Sequence, residues 1–530
     1  LTEGKEDVDA AIINPVESLW GLVNERSFIN CFGSTNEKIV KLEREYYELF
    51  RFIRLNGGAA DYIDEGIFEK RGGSENGEIV VGEKRYKKII LNGNINLRSA
   101  TLTALKTFIK DGGEVIVAGD MPEYLDGLRH DYSDDLQGAT VVGFDPKKVL
   151  NLIKKSDYKT NSNSIIAEKR RFAGGEAYFF LSRAESKTDA KIVIESDKKP
   201  AMIDLTDGSL TPIEFTRNGG TVEITKTFER GESLALYFCG QSPLYEEKKT
   251  YETVSVPSVF EYELSEPNAL PLDSAKCYID GEYFCEGYIL TVDENLRDKF
   301  SMPRRHGEMV QPWFKDKFYP APKTVCRATL VFEFSVKNIP EDVYLITEDT
   351  SVKISVNGIA LTVKDISDGF VDVCFKKIKL PVNSLKIGRN EIAVSFDFTD
   401  RYDIESVYLV GTFGVSENDE ITLMPKTLRA GDVCKQGLKY YGGRIKYSAP
   451  FPNGNYKITL SELPAAIAYF NDSPVAFLPY ETEFAVTNGT LTAETVFTRQ
   501  NAFGTTVTDG KRDGLIPQGL PEILTISKRV

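Results

Sequence analysis

The spacing of hydrophobic positions changes along the chain. Up to about residue 158, short apolar runs alternate with helical patterns. Ala10–Asn14, Tyr86–Leu91, Glu114–Ala118 and Ala139–Val142 read as strands. Between them, Glu37–Asn56 places Ile39, Leu42, Tyr46, Leu49, Phe50 and Ile53 at helical spacing, and Gly57-Gly58 supplies the stop. Ser99–Lys110 carries Leu102, Leu105, Phe108 and Ile109 on one face, and Pro146–Lys155 follows the last strand as another helix. Alternation of this kind predicts a parallel sheet with helices on both faces.

Beyond Tyr158 the period becomes two. Glu176–Leu181, Lys191–Glu195, Thr221–Thr225 and Ser233–Phe238 predict a small antiparallel sandwich, with Asp-Gly, Asn-Gly-Gly and Arg-Gly turns. Residues 243–253 are charged and read as a connector. From Val254 onward the pattern stays all-β and repeats. Val352–Gly358 runs into an Asn-centred turn, and Gly388-Arg389-Asn390 introduces the alternating strand Glu391–Phe398. Ala466–Asp472 and Asn488-Gly489 before Thr490–Phe497 follow the same plan, which predicts two tandem jelly rolls. The expected domains are 1–158, 159–245, 246–415 and 416–530, with an irregular stretch at Leu296–Pro322.

Composition narrows the class. The 530 residues carry 65 Lys and Arg against 79 Asp and Glu, a formal charge of −14, which disfavours nucleic acid and anionic membranes as partners. No apolar run approaches the ~20 residues of a membrane span. Two histidines, His130 and His306, exclude a His-rich metal site. The seven cysteines (31, 239, 277, 285, 326, 374 and 434) form no C-x-x-C pair. They read as reduced thiols of a bacterial cytoplasmic protein; secretion, with a Cys277–Cys285 disulfide, is the alternative. The charged opening from Leu1 to Asp7 leads at once into a strand, so the chain reads as a piece of a longer protein.

Residues 12–20 (IINPVESLW), Tyr86–Leu91, Leu97-Arg98-Ser99-Ala100-Thr101-Leu102 and Gly112-Gly113-Glu114-Val115-Ile116 resemble the α/β domain that follows the catalytic barrel in large bacterial glycoside hydrolases. The likeness is to family 106 α-L-rhamnosidase-like proteins and, more distantly, to family 42 β-galactosidases. It implies a flavodoxin-type, class I amidotransferase-like domain without amidotransferase activity. Arg171–Leu181, Met202-Ile203-Asp204, Gly208 and Gly231-Glu232-Ser233 are similar to the short sandwich after that domain. Gly388–Val415 resembles the close of a galactose-binding-like jelly roll; Gly437–Tyr447, Asn471 and Arg499–Gly504 resemble a second. The expected role is non-catalytic: scaffolding a catalytic barrel of the same protein, and binding carbohydrate from plant or microbial glycans. Homo-oligomer assembly through the α/β domain is a further implication. Glycoside hydrolysis needs two carboxylates about the scissile bond, and neither transfers to a position here. A self-standing carbohydrate-binding or adhesion protein, and a glycosidase with its active site between these domains, remain the alternatives.

Candidate chemistry is sparse. An amidotransferase or hydrolase needs a nucleophile on a strand-to-helix elbow, but Asn92-Gly93-Asn94 and Ala118-Gly119-Asp120 supply neither Cys nor Ser. Cys31 with His130 is the one pairing to weigh, against both being ordinary loop residues. No phosphate-binding loop is present. Sugar rings pack on aromatic side chains while polar groups hold their hydroxyls. Trp313, Phe314, Phe318 and Tyr319, in a proline-bounded loop, are one candidate set; Tyr440, Tyr441 and Arg444 are another, with packing between domains or in a core as the alternative for both. Trp20 is expected to be buried or to face the barrel. No cofactor is called for; a structural calcium at Asp397, Asp400, Asp403 and Glu405 competes with a solvated acidic loop. Lys169-Arg170-Arg171 and Lys376-Lys377 are expected on solvated faces.

Overall fold

A computed structural model describes residues 4–23, 34, 36–153, 156–205, 207–239, 250–304, 321–361, 366–504, 507–508, 511–512 and 514–530. It is β-rich and falls into two units, Leu1–Glu247 and Lys248–Val530.

The first unit opens with a five-stranded parallel sheet, in the order Thr140–Val141, Glu114–Ala118, Lys88–Asn92, Ala10–Ile13, Asp61–Ile63. Alternate residues of these apolar strands serve two cores. Ala11, Ile13, Ile89, Leu91, Val115 and Val117 pack with Leu102, Leu105 and Phe108 of the helix Ser99–Lys110. Ala10, Ile12, Ile90, Ile116 and Ala118 pack with Leu49 and Ile53 of Glu37–Leu55 and with Val149 and Leu150 of Pro146–Leu152. Burial on both faces is why the strands lack alternation. Lys84–Tyr86 belongs instead to a hairpin sheet with Gly72–Glu75 and Glu78–Val81, so the expected strand Tyr86–Leu91 is divided.

The sandwich of this unit pairs a six-stranded sheet, which includes Ile165–Phe172, Gly175–Ser182 and Ser233–Cys239, with a four-stranded sheet around Thr188–Glu195 and Thr221–Phe228. Its core holds Tyr178, Phe180, Ile192, Ile224 and Phe238. Lys169 departs from the solvated face expected of it. It points inward, and its ammonium meets Asp157, Glu176 at 3.1 Å, Asp7 at 3.8 Å and the ring of Tyr178. Three carboxylates and an aromatic face replace water around one buried charge.

The second unit holds two β-sandwiches. One sheet of the first runs through Asn268–Leu272, Val407–Gly411, Val343–Thr347 and Asp372–Lys379; the facing sheet includes Ser274–Ile279, Cys326–Val336, Gly388–Phe398 and Lys353–Val356. The other sandwich pairs Tyr251–Val254 with Leu524–Arg529, and Glu261–Leu264 with Arg444–Pro450. The chain therefore lays down two strands of the C-terminal sandwich before building the other and returning. A division at 415/416 separates strands that share one sheet, because sheet pairing joins segments whatever their distance in sequence.

The sequence repeat has a counterpart in this pairing. Lys353–Val356 and Ile467–Phe470 each end in an asparagine with positive φ, Asn357 at 48° and Asn471 at 44°. Each asparagine clamps the next long strand through one residue. Asn357 donates its backbone N–H to the Glu391 carbonyl and accepts the Glu391 N–H on Oδ1; Asn471 does the same with Thr492.

The expected irregular stretch at Leu296–Pro322 begins inside a helix, Ile289–Lys299. Arg297 there is 1% exposed. Its guanidinium donates to Asp293 Oδ2 at 2.7 Å and to the carbonyls of Asp400 and Tyr402, tying the loop before Val407 to the helix. The acidic cluster expected in that loop is divided, with Asp397 in the strand Gly388–Phe398 and Asp400, Asp403 and Glu405 beyond its end. Asp397 pairs with Arg327, and no group of His, Cys, Asp and Glu among the described residues is arranged to hold a metal ion.

Two predictions follow from these contacts. Asn471→Ala loses the side-chain half of the clamp and puts a residue less tolerant than Asn in left-handed backbone, lowering stability in urea unfolding by roughly 1–3 kcal/mol. Asn471→Gly loses only that half of the clamp, so its midpoint should fall between Ala and wild type. Arg297→Met leaves Asp293 buried and unpaired, at about 3–5 kcal/mol, and adding Asp293→Leu should restore most of that loss.

Candidate functional site

The order of the parallel sheet reverses between Ala10–Ile13 and Lys88–Asn92, and in open α/β sheets ligands bind outside the carboxyl ends of strands at such a point. A cleft of about 1010 Å³ lies there, lined by the strand-end turns 93–96 and 120–121, by Glu17 and Leu22, by Lys41 and Glu45, and by Glu123, Tyr124, Asp126, Gly127 and Arg129. Gly93 has φ of 69°, and a Cβ on it would sit 2.9 Å from Leu42. Asn92 is the last residue of the strand Lys88–Asn92. Its N–H donates to Asn94 Oδ1 and its amide donates to the Glu45 carbonyl.

Charges around the cleft are arranged in compensated sets. Arg98 donates through Nε to Glu17 and through Nη1 to Glu69, both at 2.7 Å, and its backbone N–H donates to the buried Glu65. Burial pushes the Glu65 carboxyl up to about 7. Glu45 lies 3.9 Å from Lys41, and its pKa is raised by burial, with Lys41 and Arg44 opposing.

Residues singled out in the sequence disperse. Trp313, Phe314, Phe318 and Tyr319, with Cys31 and His306, lie outside the described residues. His130 Nε2 is 2.6 Å from Asp135, which Lys106 also holds. Of the two expectations for Trp20, burial fails: it is 61% exposed on the outer side of the short helix Val16–Leu22. Burial holds the Cys277 and Cys434 thiols at about 12, well above the thiolate-forming range. Cys277 faces Cys285 across two paired strands, and both are free thiols.

Tyr440 and Tyr441 are core residues and offer no sugar platform. The Tyr440 hydroxyl donates to Asp419 at 2.7 Å; the Tyr441 hydroxyl donates to the Arg444 carbonyl and accepts the Ser265 N–H. Arg444 is separated from them because it opens the strand Arg444–Pro450, whereas Tyr440 and Tyr441 lie in the segment before it. It lies on the outward face of the sheet formed by Arg444–Pro450, Thr490–Val496 and Ile467–Phe470. There Arg444, Lys446, Tyr469, Asn471, Thr492 and Glu494 line a shallow cleft of about 310 Å³. Tyr469 and Lys446 are both register partners of Glu494, so aromatic, acid and base share one rung. Arg444 Nη1 approaches Glu494 at 3.4 Å. Tyr469 was missed in the sequence; its signal is an aromatic at a polar-face position of the alternating run Ala466–Asp472.

No family model matches the chain, and no curated protein matches it. The solved structures it is similar to are glycoside hydrolases. A Novosphingobium rhamnosidase is 15% identical, covering 65% of this chain and 32% of its own, with a TM-score of 0.30. A family 42 β-galactosidase from G. stearothermophilus is 12% identical over 44% of this chain and 41% of its own, with a TM-score of 0.30. An α-L-fucosidase from Paenibacillus thiaminolyticus is 11% identical over 45% and 50%, with a TM-score of 0.29. This chain thus spans from a third to a half of the length of these enzymes.

Glu65 makes stability depend on pH. Its pKa rises from 4.5 to about 7 in the fold, so the folded state holds the proton more tightly than the unfolded one. The stabilisation is complete below pH 4.5 and is lost as pH rises through 7, a change on the order of 3 kcal/mol. In urea unfolding between pH 5 and 8, Glu65→Gln should remove this decline and be the more stable protein at pH 8.

Proposed function

We propose that this chain is the carbohydrate-handling, non-catalytic part of a bacterial glycoside hydrolase of the family 106-like type. In this proposal the α/β domain is a degenerate amidotransferase-like, flavodoxin-type scaffold, and the following sandwiches include galactose-binding-like jelly rolls. Hydrolysis belongs to a barrel domain of the same protein. The sequence resemblance supports the type, and the Asn-Gly-Asn turn at the strand end supports an α/β domain that lacks a nucleophile.

The observation that carries the binding role is the outward sheet face of the C-terminal sandwich. Tyr469 supplies an aromatic surface for the C–H face of a pyranose, while Arg444, Lys446, Glu494 and Thr492 offer donors and acceptors around it. The two charged side chains nearest each other, Arg444 and Glu494, form an exposed pair of little intrinsic strength, so a hydroxyl can replace it at small cost. Strands hold these groups at fixed register, which limits the side-chain ordering needed on binding.

Calorimetric titration of the chain with neutral oligosaccharides of different sugar types tests this. One class should bind, and Tyr469→Ala and Arg444→Ala should each weaken binding at the sheet face by roughly tenfold or more. Saccharide binding that both variants leave unchanged overturns the assignment. Release of sugar from aryl glycosides by the chain alone overturns the non-catalytic role.

A further inference from the structure

The cleft at the carboxyl ends of the parallel strands is a second place where a ligand can be held, and its chemistry narrows the class. Its volume, about 1010 Å³, is at the top of the usual range for small-molecule sites. Several of the backbone donors that could meet a phosphate are already in use. At the start of the helix Ser99–Lys110, the Ser99 N–H is taken by Asp126 Oδ1 and the Arg98 N–H by Glu65. The N–H groups of Ile95 and Asn96, at the third strand's end, both donate to Ser18 Oγ. The Arg98 guanidinium is committed to Glu17 and Glu69, and Lys41 lies beside Glu45.

What remains exposes acceptors rather than donors. Six carboxylates line the cleft (Glu17, Glu45, Glu69, Asp120, Glu123 and Asp126), against the cations Lys38, Lys41, Arg98 and Arg129. An anion brought here would meet net negative charge at close range. Apolar surface from Leu22, Leu42, Ile95 and Met121 lies among these acceptors. Beneath the turn, Asn92 is 1% exposed and its Oδ1 accepts no hydrogen bond.

We infer that this cleft binds a neutral polyhydroxylated molecule of saccharide type, with Asp120 and Glu45 accepting from its hydroxyls and Met121 and Leu42 covering its C–H surface. Binding here does not depend on the sheet-face site of the C-terminal sandwich, and its test keeps the two apart. Amide hydrogen exchange of the full chain is followed with neutral oligosaccharides, inorganic phosphate and spermidine, in wild type and in Tyr469→Ala. Saccharide should protect residues 93–96 and 120–127 in both proteins, and Asp120→Ala, an exposed position, should weaken that protection by roughly tenfold in apparent affinity. Lys110→Ala, an exposed position outside the cleft lining, should leave it within about twofold. Protection of these segments by phosphate or spermidine in preference to saccharide would overturn the inference, as would saccharide protection confined to residues 467–471 and 490–496. Loss of protection in only those latter segments on Tyr469→Ala leaves the cleft assignment standing.

Discussion

In the strand Arg444–Pro450, Ile445, Tyr447 and Ala449 enter a core while Arg444 and Lys446 face outward. Cys326–Val336 and Thr490–Val496 keep the same period of two, and where it holds it decides which side chains can meet a ligand. Tyr441 and Arg444 are three residues apart, yet one phenol is sealed in the core and the other residue lies open on the sheet. Had the register shifted by one residue, Tyr447 would occupy the face and Lys446 the interior. The cores therefore hold the register, and the register makes the sheet-face cleft.

Where a sheet cannot sort its polar groups outward, the protein satisfies them locally. Lys169 is enclosed by carboxylates, and Arg297 divides its donors between Asp293 and two loop carbonyls. Such groups add little net stability relative to an apolar replacement, but they hold segments in place that apolar contact would leave free to slide. Arg297 in particular reaches from a helix to a loop about a hundred residues on, through backbone carbonyls that no side-chain pattern announces. The paired asparagines act in the same way at shorter range. Each turns the chain sharply and fastens the turn to the strand that follows several dozen or about twenty residues later.

Much of the α/β sheet was legible because its strands are buried on both faces and its helices on one. Glu37–Leu55 and Ser99–Lys110 stand within a residue of where the periodicity puts them, and so does Glu114–Ala118. Asp61–Ile63 and Glu65–Arg71 were not read, since three residues carry no measurable period and a seven-residue helix little more. Of the candidate site, only Arg444 was found. The aromatic dipeptide beside it looked like a sugar platform, and Tyr469 lay unnoticed about 25 residues downstream, two strands away in the same sheet.

Local pattern was enough to determine most of the longer strands and helices, the absence of a nucleophile at the parallel-strand ends, and the repeated strand–asparagine–strand unit. All of these depend on neighbours close in the chain. Tertiary structure alone decided that Tyr251–Val254 and Glu261–Leu264 join the last sandwich, that Lys169 is interior, and that Arg444, Glu494 and Tyr469 converge on one face. The physical reason is that strand pairing is satisfied by any backbone that arrives in register. Which strand arrives is settled by burying the whole core at once, and no window of sequence contains that information.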